Sequence, residues 1–182
     1  PTPTTDLSAA VRAFLAEPYV VSIATVDPDG APRQAIAWFR LEADGRILVN
    51  SRTPRRWPAN LRRDPRVSLA VVDPGEPDRW VGITAVVDEV VDEVERSRED
   101  IVQLAHRYRE GGPTPATEAM FRSQPRVTFL LRVTGVHDHL TFGEGEIDFA
   151  EVFGALREAG YAGGLHVELS RHSHDAVRTA RR

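Results

Sequence analysis

The stretch "VSIATVDPDGAPRQAIAWFRLEADGRILVNS", Val21–Ser51, decides the fold. Three runs rich in apolar and β-branched residues are separated by two tight-turn signals, "DPDG" at Asp27–Gly30 and "EADG" at Glu42–Gly45. In each, glycine supplies the positive φ that a compact reversal demands. Connections this short cannot hold a crossover helix, so the neighbouring strands must be antiparallel. Tyr19–Val26, Pro32–Arg40 and Arg46–Ser51 therefore read as a three-stranded meander.

Upstream, "DLSAAVRAFLAE" (Asp6–Glu17) sets Leu7, Val11, Phe14 and Leu15 on one helical face, with Asp6 as the expected N-cap. Downstream, a short arginine-rich helix carries Pro54 in its first turn. Two further strands, Arg66–Asp73 and Arg79–Asp92, flank the loop "PGEPD". Gly82 inside the second predicts a bulge or a close backbone approach. Glu93–Glu110 repeats Val94, Ile101, Leu104 and Ala105 at helical spacing. A short helix, "ATEAMFR", precedes the last strand, Arg126–Leu140. Six strands in short meanders, with helices between them, predict a mainly β fold with α: a closed, six-stranded antiparallel barrel. Residues 1–140 form this barrel domain, and residues 141–182 form a C-terminal helix–strand appendage of different character.

Composition narrows the chemistry. A chain of 182 residues with net charge −4 lacks the basic surface of a nucleic-acid-binding domain. No apolar run reaches the ~20 residues that span a bilayer, and the first residues show no signal-peptide pattern, so a cytoplasmic protein with no membrane partner is expected. The absence of cysteine removes disulfides, thiolate nucleophiles and cysteine-type zinc sites. All 23 basic residues are arginine. Without lysine there is no Schiff-base chemistry and no phosphate-loop lysine. Arginine, in contrast, suits phosphate and carboxylate through bidentate hydrogen bonds.

"NSRTPRRWPANLRRDPRV" (Asn50–Val67) crowds Arg52, Arg55 and Arg56 at a helix start, where the backbone dipole is already positive. Either these cations are merely solvated, or an anion belongs there. No catalytic triad or carboxylate pair stands out, and no catalytic residue is assigned.

Residues 6–140 resemble the flavin and deazaflavin oxidoreductases of the pyridoxamine-phosphate-oxidase-like split-barrel superfamily, with the FMN-binding split-barrel fold. The likeness is carried by the meander above, by "RRWPANLRRDPRVSLAVVD", by "RWVGITAVV" and by the helix ending "AHRYRE". It is nearest the branch that uses coenzyme F420, with FMN as the alternative cofactor. The resemblance implies a phosphate cradle made of Ser51, Arg52, Thr53, Arg55 and Arg56, with Asn60 also in the cofactor-binding set. It implies that the backbone of Ala35, Ile36 and Ala37 runs along the cofactor ring with Trp38 close by. Trp38 read on its own is equally a core or dimer-interface aromatic; Trp57 and Trp80 read as packing residues. It further implies a homodimer transferring hydride to a small, oxidised, planar substrate, the cofactor doing the chemistry. Solvent or Tyr108 would supply a proton. The alternative is the same barrel sequestering a flavin or tetrapyrrole without turnover.

The segment His137–Ala176 resembles the last strand–helix–strand of a xylose-isomerase-like TIM barrel of the sugar-phosphate isomerase/epimerase type. That resemblance makes Glu168 the counterpart of a metal-ligating glutamate, near His166, His172, His174 and Asp175. A TIM barrel needs about 250 residues, and no four-ligand geometry is evident, so no metal is expected. Val152, Phe153, Leu156, Leu165 and Val167 form an apolar set that must cover something.

Overall fold

A computed structural model describes residues 5–140 and 149–163. The chain opens with α1 (Ala9–Ala16), then runs β1 (Val21–Val26), β2 (Pro32–Ala37), β3 (Phe39–Leu41) and β4 (Ile47–Arg52). After α2 (Arg56–Arg63) come β5 (Arg66–Val72), β6 (Trp80–Val91), α3 (Val94–Tyr108), α4 (Pro115–Ser123) and β7 (Arg126–His139); α5 (Phe149–Glu158) follows. The seven strands form one antiparallel sheet in the order β2-β1-β5-β6-β7-β4-β3. The architecture is mainly β with flanking helices, consistent with a split barrel.

The expected count of six strands is corrected to seven because the second strand breaks at Trp38. Up to Ala37 it pairs with β1, Ala37 opposite Val21; from Phe39 it pairs with β4, Phe39 opposite Val49. The two ends of the sheet order are thus consecutive in the chain, and the sheet curls round on itself at this corner. Tyr108 of α3 fills the gap in the ladder. Its hydroxyl accepts from the Phe39 amide (3.2 Å) and donates to the Tyr19 carbonyl (2.6 Å). A corner in a sheet leaves backbone groups unpaired, and a buried unpaired group is costly; one phenol supplies the missing partners.

The interior of the curl is filled by Val21, Ile23, Phe39, Val49, Ile83, Phe129 and Leu131, all 2% exposed or less. Each such side chain contributes about 1.5–3 kcal/mol. The α1 face of Leu7, Val11, Phe14 and Leu15 closes one end of this core, as its spacing predicts. The N-cap is Ser8 and not Asp6: its hydroxyl accepts from the Val11 amide at 3.2 Å. A second cluster joins Leu48 and Leu130 to Ile101, Val102, Leu104, Ala105 and Phe121 of α3 and α4.

Both meander turns form as expected, with Gly30 at φ 86° and Gly45 at φ 85°. Gly82 marks a close approach: a Cβ there would stand 3.0 Å from the Trp80 ring. The irregularities of β6 fall elsewhere, between Thr84 and Ala85 and between Val87 and Glu89. Pro54 precedes α2 instead of lying in its first turn; Pro58 lies within the helix. Val152 and Phe153 of α5 are each 42% exposed. Leu165, Val167, His166, Glu168, His172, His174 and Asp175 lie outside the described residues.

Candidate functional site

A cleft of about 290 Å³ opens beside the Trp38 corner. Its walls are Val20, Ile36, Ala37, Trp38, Trp57, Ile101 and Phe121; its polar groups are Asn50, Arg55 and Arg126. Three elements distant in sequence build it: the end of β2, the β4–α2 junction, and α3–α4 leading into β7.

Trp38 is held from two sides. Its ring stacks on Tyr108 (5.2 Å between centroids, planes 5° apart) and meets Phe121 edge-on at 6.3 Å and 82°. The Arg109 guanidinium lies 5.9 Å from its centroid. Trp57 is 5% exposed and packs on Phe129 at 5.9 Å. Both tryptophans are at once packing residues and cleft wall. The Tyr108 hydroxyl, committed to the main chain of Tyr19 and Phe39, does not line the cleft, and burial pushes its pKa up.

The cations divide into two groups. Arg52 ends β4, Arg55 is the N-cap of α2, and Arg126 begins β7 directly opposite Arg52. Among the described residues no carboxylate lies within ion-pair distance of these three. Burial, then the charges of Arg55 and Arg52, push the Arg126 pKa down to about 10. The Nε of Arg126 is buried with no hydrogen-bond partner. Arg55 offers no side-chain acceptor to the first-turn amides of α2. Uncapped amides at the start of α2 and the guanidiniums gathered beside it are groups that could hold an anion.

Arg56 belongs to the other group. It reaches Asp27 Oδ2 at 3.4 Å, where Arg33 also binds at 2.7 Å. Asn60 is 3% exposed and donates to Asp27 Oδ1 (2.8 Å) and Thr25 Oγ1 (3.1 Å). The hydrogen bond from Arg33, then that from Asn60, lower the Asp27 pKa to about 2. The structure therefore places Arg56 and Asn60 beside Asp27, away from the residues that line the Trp38 cleft. Ser51 is 2% exposed and donates to the Arg52 carbonyl at 3.1 Å. The Thr53 amide donates to the Pro125 carbonyl at 3.0 Å. Ala35 packs against the core, while Ile36, Ala37 and Trp38 line the cleft.

Two polar residues of the cleft were not anticipated. Arg126 Nη1 donates to Asn50 Oδ1 at 3.3 Å. Asn50 in turn donates to the Ser97 carbonyl (2.8 Å) and to Thr128 Oγ1 (2.9 Å), and Thr128 donates to Asp100 Oδ2 at 2.7 Å. Burial raises the Asp100 pKa, against the opposing hydrogen bond from Thr128. This buried chain fixes Asn50, which together with Gln124, whose Oε1 accepts from Arg126 Nη2 at 2.5 Å, holds the guanidinium of Arg126.

Comparison with known proteins agrees with this architecture. No curated protein sequence matches the chain. Among solved structures, one named F420 reductase shares 27% identity at a TM-score of 0.58, covering 69% of this chain and 94% of its own. The conserved hypothetical protein Rv2991 from Mycobacterium tuberculosis shares 23% identity at 0.61, covering 92% and 96%. HutZ, the heme storage protein from Vibrio cholerae, shares 23% at 0.55, covering 70% and 91%. The last two likenesses show the fold alone. The expected relation of the C-terminal segment to a TIM barrel is not among these matches. A family model described as pyridoxamine 5'-phosphate oxidase matches residues 7–140, the whole sheet with its helices up to β7. The chain belongs to the pyridoxamine 5'-phosphate oxidase family.

Proposed function

We propose that this chain is an oxidoreductase that holds coenzyme F420, or alternatively FMN, in the Trp38 cleft and passes hydride from the reduced ring to a small oxidised substrate. The observation that carries this reading is the group of Arg55 and Arg126 on the wall of an apolar cleft with Arg52 opposite Arg126, and no carboxylate among the described residues within ion-pair distance of the three. The residues fit a group with a phosphate at one end and a planar ring at the other. The buried, partnerless Nε of Arg126 and the uncapped start of α2 await acceptor oxygens.

The cofactor supplies the hydride chemistry; the chain supplies position and field. Arg55 and Arg126 bind the phosphate by charge-assisted hydrogen bonds, and Arg52 adds charge at the rim. Asn50 orients Arg126. Ile36, Ala37 and Trp38 form an apolar wall that excludes water from one side of the ring. Among the described residues no acid or base other than Arg55 and Arg126 lines the cleft, which supports solvent as the proton source.

The same surface supports a homodimer. The cleft is at the small end of the range of about 300–1,000 Å³ usual for ligand sites. Beside it, Val20 is 45% and Ile36 67% exposed, and β2 ends the sheet order. A second copy seated on these residues would enlarge and close the cleft.

The test is titration of the purified protein with F420 and with FMN, followed by absorbance, in the wild type and in Arg55→Ala and Arg126→Ala. Saturable binding weakened at least tenfold by each substitution is expected, since a hydrogen bond to a charged group is worth about 1.5–3 kcal/mol. Equal affinities in all three proteins would remove the cradle. The lack of an acid or base other than arginine among the described cleft residues also favours a second reading, a binding protein without turnover. A reduced complex that survives every acceptor tested would select that one.

A further inference from the structure

At the other end of β7 from Arg126, roughly 35 Å away along the strand, a second polar cluster stands apart from the cleft. His137 and His139 are two residues apart on one strand, so both rings rise from the same face. Their Nε2 atoms are 2.7 Å apart and share one hydrogen bond. The pair is braced from β6. Trp80 lies opposite His139 and Gly82 opposite His137. The Trp80 ring stacks on His139 at 4.4 Å and 15°, and meets His137 edge-on at 5.5 Å. Gly82 is what lets the indole lie down, since a Cβ there would press on it at 3.0 Å. A shallow groove lined by Ser68, Thr84, Gly135 and His137 leads away from the pair.

We propose that His137 and His139 form a bidentate imidazole site for a divalent cation of the copper(II) or nickel(II) type, with water completing the coordination. Imidazole nitrogens bind such ions at about 2.0–2.1 Å. A right-angled bite then needs the two nitrogens about 2.9 Å apart, and a tetrahedral one about 3.3 Å. The observed 2.7 Å is close to the first and well short of the second. Tetragonal ions therefore fit with a small ring movement, whereas zinc demands a larger one. A cation at this position takes the place of the shared proton, so each Nε2 becomes a donor to the metal. Trp80 holds His139 in the binding orientation before the ion arrives. No carboxylate joins the pair: among the described residues no group of three or more His, Asp or Glu side chains is placed to hold a metal. The site is therefore one of moderate affinity and open coordination, suited to a metal that exchanges or meets a further ligand in the groove.

The stack supplies its own reporter, because copper(II) or nickel(II) at His139 quenches an indole in contact with that ring. Titration of the full chain with copper(II), followed by tryptophan emission, should show saturable quenching at one equivalent. His137→Ala and His139→Ala should each raise the midpoint at least tenfold, and the double variant should lose the saturable phase. Replacing His172 and His174 with alanine should leave it in place, and Trp80→Phe, which keeps an aromatic ring to brace His139, should remove the signal while calorimetry still finds the metal bound. Zinc should need a higher concentration than copper or nickel. Quenching that is unchanged in both single variants, or that vanishes with His172 and His174, would overturn the assignment.

Discussion

Arg52 and Arg126 are directly opposed in the β4–β7 ladder, two guanidinium groups on neighbouring strands with no carboxylate among the described residues within ion-pair distance of either. Like charges opposite one another across a sheet are destabilising, by up to about 1 kcal/mol. The arrangement is intelligible as a site whose missing charge arrives with a ligand. Arg52→Gln should therefore raise the melting temperature of the ligand-free protein slightly and weaken phosphate-ligand binding. Thermal unfolding with and without FMN or F420 checks both signs; a variant less stable when free would mean that Arg52 is structurally supported.

Arg55 and Arg56 are neighbours in sequence with opposite assignments. Arg55 lines the Trp38 cleft, and Arg56 reaches Asp27. Arg55→Ala should weaken cofactor binding at least tenfold with little change in stability. Arg56→Ala should leave binding within about twofold and change stability little, because the buried Asp27 keeps its closer bonds to Arg33 and Asn60. Parallel binding isotherms decide this, and equal losses in both variants would place the two side chains in one cradle after all.

The Tyr108 hydroxyl is committed to the sheet corner, so its loss should be felt by the fold. Tyr108→Phe strips partners from the Phe39 amide and the Tyr19 carbonyl at the sheet corner. Leaving buried groups unsatisfied costs about 1–3 kcal/mol, so denaturant midpoints should fall. Turnover per folded molecule should be unchanged. A large drop in turnover with normal stability would restore Tyr108 as a proton source.

Two carboxylates tie stability to pH with opposite signs. The Asp27 pKa is lowered from 3.8 to about 2, so its stabilising contribution is complete above about pH 4 and lost as pH falls toward 2. Asp27→Asn should flatten the acid limb of a stability–pH curve over that window. Burial raises the Asp100 pKa above 3.8, so its ionisation opposes folding: the cost is absent in acid and grows as pH rises through the carboxylate range. Asp100→Asn keeps an acceptor for Thr128 and removes that cost. Its stability relative to wild type should improve as pH rises from 3 toward neutrality.

Removing residues 143–182 should leave the sheet and the Trp38 cleft intact, since every described residue of the cleft lies before position 127. Binding isotherms of the shortened chain should match the full one. Loss of binding in a shortened protein that remains folded would make the C-terminal segment part of the site.

The features legible in the sequence are those carried by neighbouring residues. The turns at Gly30 and Gly45 follow from glycine's access to positive φ, and the α1 face of Val11, Phe14 and Leu15 from helical spacing. The resemblance to split-barrel oxidoreductases agrees with the family match over residues 7–140. Even local reading slips where two candidates compete, as when Ser8 caps α1 in place of Asp6.

What only the tertiary structure decided is where the arginines meet. Arg126 is 76 residues from Asn50, and nothing in the run that begins β7 announces that it will join Arg52 and Arg55. The closure of β4 on β7 brings them together, and the same closure breaks the second strand at Trp38. The split between Arg55 and Arg56 is likewise tertiary: Asp27, at the end of the β1 hairpin strand, captures one cation of an adjacent pair and leaves the other to the cleft. Sequence patterns encode which face of an element is apolar. They do not encode which distant charge will stand opposite a given side chain, because that depends on the register of strands that meet only when the whole sheet has formed.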